Sequence, residues 1–287
     1  MTSPIVLALG GGLAFSLSHF LVRLGLGASN PTTAVTVNVT VNALGLWVLA
    51  ALFSPIRPLA SVAAWPFVLA GLFAPSLARI LLYHGYKHMG LARSSVLAGT
   101  VSVFSVSMAI LFLGERPSAV RLLGILCIVV GVGALSFSRT SGVEWARWAI
   151  LLPLGAALCF SLRDVFSKVG LGMIPVPITG ASIAATTAAL VLYLSFFVSK
   201  GREKIILTSE SFWLFFGSGI LLVAAYYCVY AALKSERVSL ISPLVSLHPI
   251  YSVILSYLFL QKAERVTRMV IAGGVLVVAG AAGVLLG

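Results

Sequence analysis

Arg79 lies deep in an apolar stretch, eight residues before Lys87 and so about 12 Å from it along a helix. A side chain at that depth reaches a membrane surface only under strain. It reads either as a cavity cation that binds a carboxylate or phosphate, or as a structural guanidinium tied to backbone carbonyls. Tyr83 and Tyr86 follow it at helical spacing, and Tyr226, Tyr227 and Tyr230 form a similar set in the second half. A ring with a hydroxyl suits a small amphipathic solute, and aromatic core packing is the other reading. His248 stands directly before Pro249 near the middle of a further apolar stretch. Proline removes a helix hydrogen bond, so a kink at Pro249 is expected, freeing the carbonyl of Val245. An imidazole there could bind substrate or relay a proton. Asp164 and Lys168 are spaced i, i+4, with Arg163 beside them. They read as a helix-end ion pair, or Asp164 reads as a coupling or gating carboxylate. Ser16, Asn38, Asn42 and Ser242 are weaker candidates, since small polar residues also serve helix packing.

These residues stand out because so little else is polar. Of 287 residues, 60% are apolar, against 19 Lys or Arg and 7 Asp or Glu. That leaves 9% charged, where a soluble domain usually carries about 25%, so the chain cannot cover a water-facing surface. The mean hydropathy of +1.11 agrees. A net charge of +12 invites a nucleic-acid reading, but the basic residues are scattered between apolar runs rather than gathered in a stripe. They fit the ends of membrane helices instead. Cys127, Cys159 and Cys228 lie inside apolar runs without metal-ligand spacing, so no metal and no cofactor is expected. The first apolar run lacks a basic leader or a small-residue exit, and reads as a retained span.

A membrane helix needs roughly 20 apolar residues. Ten such spans are expected, at about 4–23, 33–53, 66–88, 92–113, 119–137, 147–168, 177–199, 212–233, 239–260 and 267–286. The runs are continuous rather than alternating, which argues against β spans. Loop charges, 11 on one side against 7 on the other, place both termini outside by the positive-inside rule.

The halves match each other. Phe15-Ser16-Leu17 and Gly25-Leu26-Gly27 recur as Phe160-Ser161-Leu162 and Gly170-Leu171-Gly172, an offset of 145. In this register His19 faces Asp164 and Arg23 faces Lys168. Tyr83 and Lys87 recur as Tyr230 and Lys234 at offset 147, where Arg79 faces Tyr226 and Val101 faces His248. Glu115-Arg116 recurs as Glu264-Arg265 at offset 149. Several polar matches in order point to duplication, with residues 1–140 and 141–287 as the two units. Five helices per unit force the second copy to enter the membrane from the opposite side, giving inverted repeats. His19 with Arg23 and Asp164 with Lys168 would then stand as gates on opposite faces.

Ten spans, two five-helix repeats and the run FLGERPS at residues 112–118 resemble the EamA-type carriers of the drug/metabolite transporter superfamily. The counterpart YLFLQKAERVT at 257–267 is similar, with Gln261-Lys262-Ala263 inserted before Glu264. The resemblance implies an all-α membrane protein of ten transmembrane helices, built as two inverted five-helix repeats around a central cavity. Spans 1, 3, 4, 6, 8 and 9 would line it, with spans 5 and 10 outside. It also implies cytoplasmic termini, opposite to the loop charges. The substrate classes it implies are amino acids, other metabolites and drugs.

No GxxxxGK[ST] run is present, so ATP-driven transport by this chain alone is not expected. No HExxH, GxSxG or paired intramembrane carboxylates suggest an enzyme. Span 1 carries no acidic residue of the kind that holds cationic drugs in small multidrug carriers. The expected function is a secondary carrier, exporting a small neutral, zwitterionic or anionic metabolite such as an amino acid. Arg79, Tyr83, Tyr226, Tyr230 and His248 would bind substrate, while His19, Asp164 and Lys168 would gate or couple. The alternatives are a nucleotide-sugar or phospho-lipid cargo, or drug efflux. Expected partners are the substrate and the bilayer of a prokaryotic plasma membrane, with no nucleic acid, in a monomer or homodimer.

Overall fold

The computed structural model describes residues 3–53, 62–137, 147–198, 204–259 and 268–287. The run Gln261-Lys262-Ala263 and the repeat match Glu264-Arg265 lie outside the described residues. Among the described residues the chain is helical, without a strand. The helices of the first half are α1 (Pro4–Gly25), α2 (Pro31–Phe53), α3 (Trp65–Gly71), α4 (Ala78–Met89), α5 (Leu91–Ala98), α6 (Val101–Leu113) and α7 (Ala119–Phe137). Those of the second half are α8 (Leu151–Met173), α9 (Pro177–Val198), α10 (Ser209–Ser235), α11 (Val238–Val245), α12 (His248–Phe259) and α13 (Arg268–Leu286).

Six helical stretches are long and apolar enough to cross a membrane: Pro4–Gly25, Pro31–Phe53, Trp65–Met89, Arg147–Met173, Pro177–Leu194 and Ser209–Ser235. Shorter apolar helices accompany them, among them Val101–Leu113. The side chains are arranged inside out. Leu52, Phe53, Leu111 and Trp213 are exposed, while Asn38, Asn42, Arg79 and Asp164 are buried. Water would penalise that apolar exterior, and a bilayer matches it. The chain is a multi-pass membrane protein.

Three stretches expected to be continuous helices are interrupted. Between α3 and α4 the chain makes a π-helical turn, Leu72–Leu77, containing Pro75 and an extended Ala74 (φ −148°, ψ 137°). Proline lacks the N–H and crowds the preceding turn, so the regular ladder cannot run through it. The equivalent α10 is unbroken over 27 residues. The other two interruptions match. Gly99-Thr100 separates α5 from α6, and Ser246-Leu247 separates α11 from α12, at the same offset of 147.

The second of these corrects the expected kink. Pro249 does not bend a continuous helix. It is the second residue of α12, where the N–H has no helical partner to lose. The break falls just before His248. The carbonyl of Val245 approaches α1 instead: a Cβ on Gly12 would lie 3.0 Å from it, so glycine permits the contact. Ser16 Oγ donates to the carbonyl of His248 at 3.0 Å and lies 2.8 Å from Ser252 Oγ, fixing α12 to α1.

Packing is exchanged between the halves. α1 packs on α10 and α12, and α8 packs correspondingly on α3, α4 and α6. α2 packs on its counterpart α9, and α7 on α13. The polar interior is thus enclosed by α1, α4, α8 and α10 together with the broken pairs α5/α6 and α11/α12.

Candidate functional site

A small cavity opens between α1, α6, α8, α11 and α12. Phe15, His19, Val101, Phe160, Arg163, Asp164, Ser242, Val245, Ser246 and His248 line it. Three repeat-related pairs are among them: Phe15 with Phe160, His19 with Asp164, and Val101 with His248. Both repeats therefore contribute residues at matching positions to this one cavity.

The pairing is symmetric in position and asymmetric in chemistry. His19 and His248 are both buried, with ring centroids 5.6 Å apart. His19 also contacts Phe15 (6.1 Å) and Tyr86 (5.5 Å). Opposite them, Arg163 Nε donates to Asp164 Oδ1 at 2.9 Å, and Nη2 donates to the same oxygen. Ser242 Oγ donates to Asp164 Oδ2 at 2.9 Å, which ties α11 to α8. His19 and Asp164 therefore line one cavity and do not form gates on opposite faces.

The expected Asp164–Lys168 ion pair is also replaced. Asp164 takes Arg163, and Lys168 Nζ donates to the carbonyls of Leu233 (2.8 Å) and Glu236 (2.6 Å) at the end of α10. An ammonium at a helix C-terminus satisfies carbonyls that have no helical donor. Lys168 thus holds the α10 terminus and is not among the residues lining the cavity.

Beside the cavity lies a second polar group. Arg79 is 1% exposed, and its guanidinium carbon lies 5.3 Å from the centroid of the Tyr226 ring. The guanidinium carbon of Arg163 lies 5.3 Å from the same ring and 5.0 Å from that of Phe160. Two guanidiniums therefore share one tyrosine. Arg79 and Tyr226 are repeat equivalents, so this contact also joins matching positions of the two repeats. Arg79 Nη1 and Nη2, Arg163 Nη1 and Tyr226 Oη are buried without a protein hydrogen-bond partner. No carbonyl ties down the terminal nitrogens of Arg79, against the structural reading of that residue.

Tyr83 and Tyr230 are fully buried and differ in role. The Tyr83 hydroxyl accepts from Asn38 Nδ2 at 2.7 Å, which also donates to Ser218 Oγ at 3.2 Å. Ser218 in turn lies 2.7 Å from Ser18 Oγ, so this network joins α1, α2, α4 and α10. The Tyr230 ring packs against Phe67 (6.2 Å) and Tyr226 (6.4 Å). Neither residue is among those lining the cavity.

In the sequence Arg163 stands out only as the neighbour of a helix-end pair, whereas it is buried in α8 against Asp164. The available signal was its position three residues after Phe160, whose repeat partner Phe15 starts the α1 motif. Glu115 stands in the sequence as part of a repeat match and of the FLGERPS run, with no role assigned to it. Its carboxylate accepts from the backbone N–H groups of Val238 and Ser239, both at 3.1 Å, at the start of α11.

The EamA-like transporter family matches the chain twice, over residues 2–137 and 147–286. A solved structure described as "Crystal structure of protein" is similar to it at a TM-score of 0.74 and 20% identity. That likeness covers 99% of this chain and 96% of the other, and it shows the fold alone. No curated protein matches the sequence.

Proposed function

Because the chain belongs to the EamA-like transporter family, we propose that it is a secondary carrier exporting a small neutral, zwitterionic or anionic metabolite, such as an amino acid, across a prokaryotic plasma membrane. Ten spans in two inverted repeats, divided near residue 140, would alternate access around this cavity. Arg79, Tyr226 and His248 are the proposed substrate contacts, with Tyr83 and Tyr230 supporting them. His19 and Asp164 would respond to occupancy, and Lys168 would hold the end of α10. The proposed assembly is a monomer or homodimer.

One observation carries the substrate reading. Arg79 is a buried cation whose terminal nitrogens lack protein partners. Burying an unpaired charge costs several kcal/mol, so a residue held in this way is poised for an acceptor brought by a ligand. A larger phosphorylated cargo is the second reading, favoured by the second guanidinium on the Tyr226 ring.

Efflux from proteoliposomes loaded with amino acids, organic anions or organic cations tests this. Arg79→Gln should lower efflux of the preferred solute about tenfold or more, the worth of a charge-assisted hydrogen bond. Selective efflux of lipophilic cations, undisturbed by that substitution, would contradict the reading.

A further inference from the structure

We propose that the ligand is an organic oxyanion, a carboxylate or phosphate ester, and that the site provides no free charged partner for an ammonium group. This rests on the carrier reading above and narrows its substrate class. The argument is an inventory of donors and acceptors. Arg79 Nη1, Arg79 Nη2 and Arg163 Nη1 are buried, lack protein partners and can only donate. The Tyr226 hydroxyl and the Nδ1 atoms of His19 and His248 also lack partners and can act either way.

The charged acceptor is Asp164, and both of its oxygens are engaged. Oδ1 receives two donors from Arg163, and Oδ2 receives Ser242 Oγ at 2.9 Å. The unpaired amide oxygen of Asn38, beside Tyr83, is neutral and offsets no charge. An ammonium would find one remaining lone pair on Oδ2, on a carboxylate whose charge Arg163 already neutralises, and close to the uncompensated charge of Arg79. An oxyanion displaces nothing. The two guanidinium carbons each lie 5.3 Å from one ring centroid, so they stand within twice that distance of each other. A carboxylate or phosphate beside that ring could face both.

The test uses purified full-length protein and trios of ligands sharing one carbon skeleton: an amino acid, its 2-hydroxy acid and its decarboxylated amine. Small, branched aliphatic and aromatic skeletons are included, each with the corresponding alkyl phosphate. Binding is read from the ligand concentration that raises the melting temperature. In at least one trio the hydroxy acid or phosphate should bind about tenfold more tightly than the amino acid, with the amine weakest. Arg79→Gln should level the difference, and Arg79→Lys, which keeps the charge, should retain part of it. Amino acid or amine binding as tightly as the oxyanion in every trio overturns the proposal, as does the absence of oxyanion binding at millimolar concentration. Oxyanion binding without flux in proteoliposomes would instead overturn the carrier reading and leave this one standing. Flux led by amino acids would do the reverse.

Discussion

Arg163 and Asp164 are adjacent in sequence, yet they form the buried ion pair of the cavity. The pair holds Arg163 against Tyr226, while Arg79, on the same ring, has no carboxylate partner among the described residues. Such a pair is weak evidence of stability in itself, because desolvation offsets much of its attraction. Removing one partner is different: Asp164→Asn leaves Arg163 buried without its counter-charge, at a cost of about 3–5 kcal/mol. That variant should melt well below the parent in detergent. Replacing both residues with apolar ones, Arg163→Met with Asp164→Leu, should recover most of the loss while weakening ligand binding. If the single and double variants melt together, the pair is not what holds Arg163 in place.

The turn between α10 and α11 is held from both sides. Lys168 binds the last carbonyls of α10, and Glu115 of the other repeat binds the first N–H groups of α11. Each charge faces the helix end of opposite partial charge. One turn beyond the Glu115 contact, Ser242 reaches Asp164, so the cap bears on the cavity. Glu115→Gln should cost about 1–2 kcal/mol at this terminus and speed amide exchange of Val238 and Ser239 about tenfold. Glu210→Gln, at an exposed position in the first turn of α10, should leave that exchange unchanged, and equal exchange in both variants would contradict the capping role. This scale also shows where sequence reading reaches its limit. Apolar length locates the helical stretches, and a lone charge in an apolar run makes Arg79 stand out. The interruption at Ser246-Leu247 has no such signature, because His248-Pro249 suits a kink and a helix start equally. Asp164 with Lys168 fits the i, i+4 rule, and only tertiary packing turns Asp164 toward Arg163 and Ser242. Capping by Glu115 joins residues 123 positions apart, beyond any local pattern.

At the scale of the molecule, the repeats divide the work by position. Helices α1 and α8 bring the equivalent residues Phe15 and Phe160 to the cavity, whereas among the described residues neither α7 nor α13 contributes to its lining. These two helices pack on each other. Lipid offers apolar side chains as good a solvent as a helix surface does, so such a pair gains most from close backbone approach. Glycine supplies it here: a Cβ on Gly124 would lie 2.4 Å from the carbonyl oxygen of Gly280, and a Cβ on Gly280 would lie 2.4 Å from that of Gly124. Those atoms are backbone and cannot swing aside. Gly280→Ala should therefore push α13 from α7 and cost about 1–3 kcal/mol, the range for overpacking. Gly10→Ala is the control, since its Cβ would meet nothing within 4 Å. Thermal unfolding of the purified variants should show a lower midpoint for Gly280→Ala and no loss for Gly10→Ala. Ligand affinity per folded molecule should be unchanged in both, because the altered contact lies away from the cavity. Equal midpoints would mean that α7 and α13 do not depend on this approach. A change in affinity would mean that their packing reaches the site.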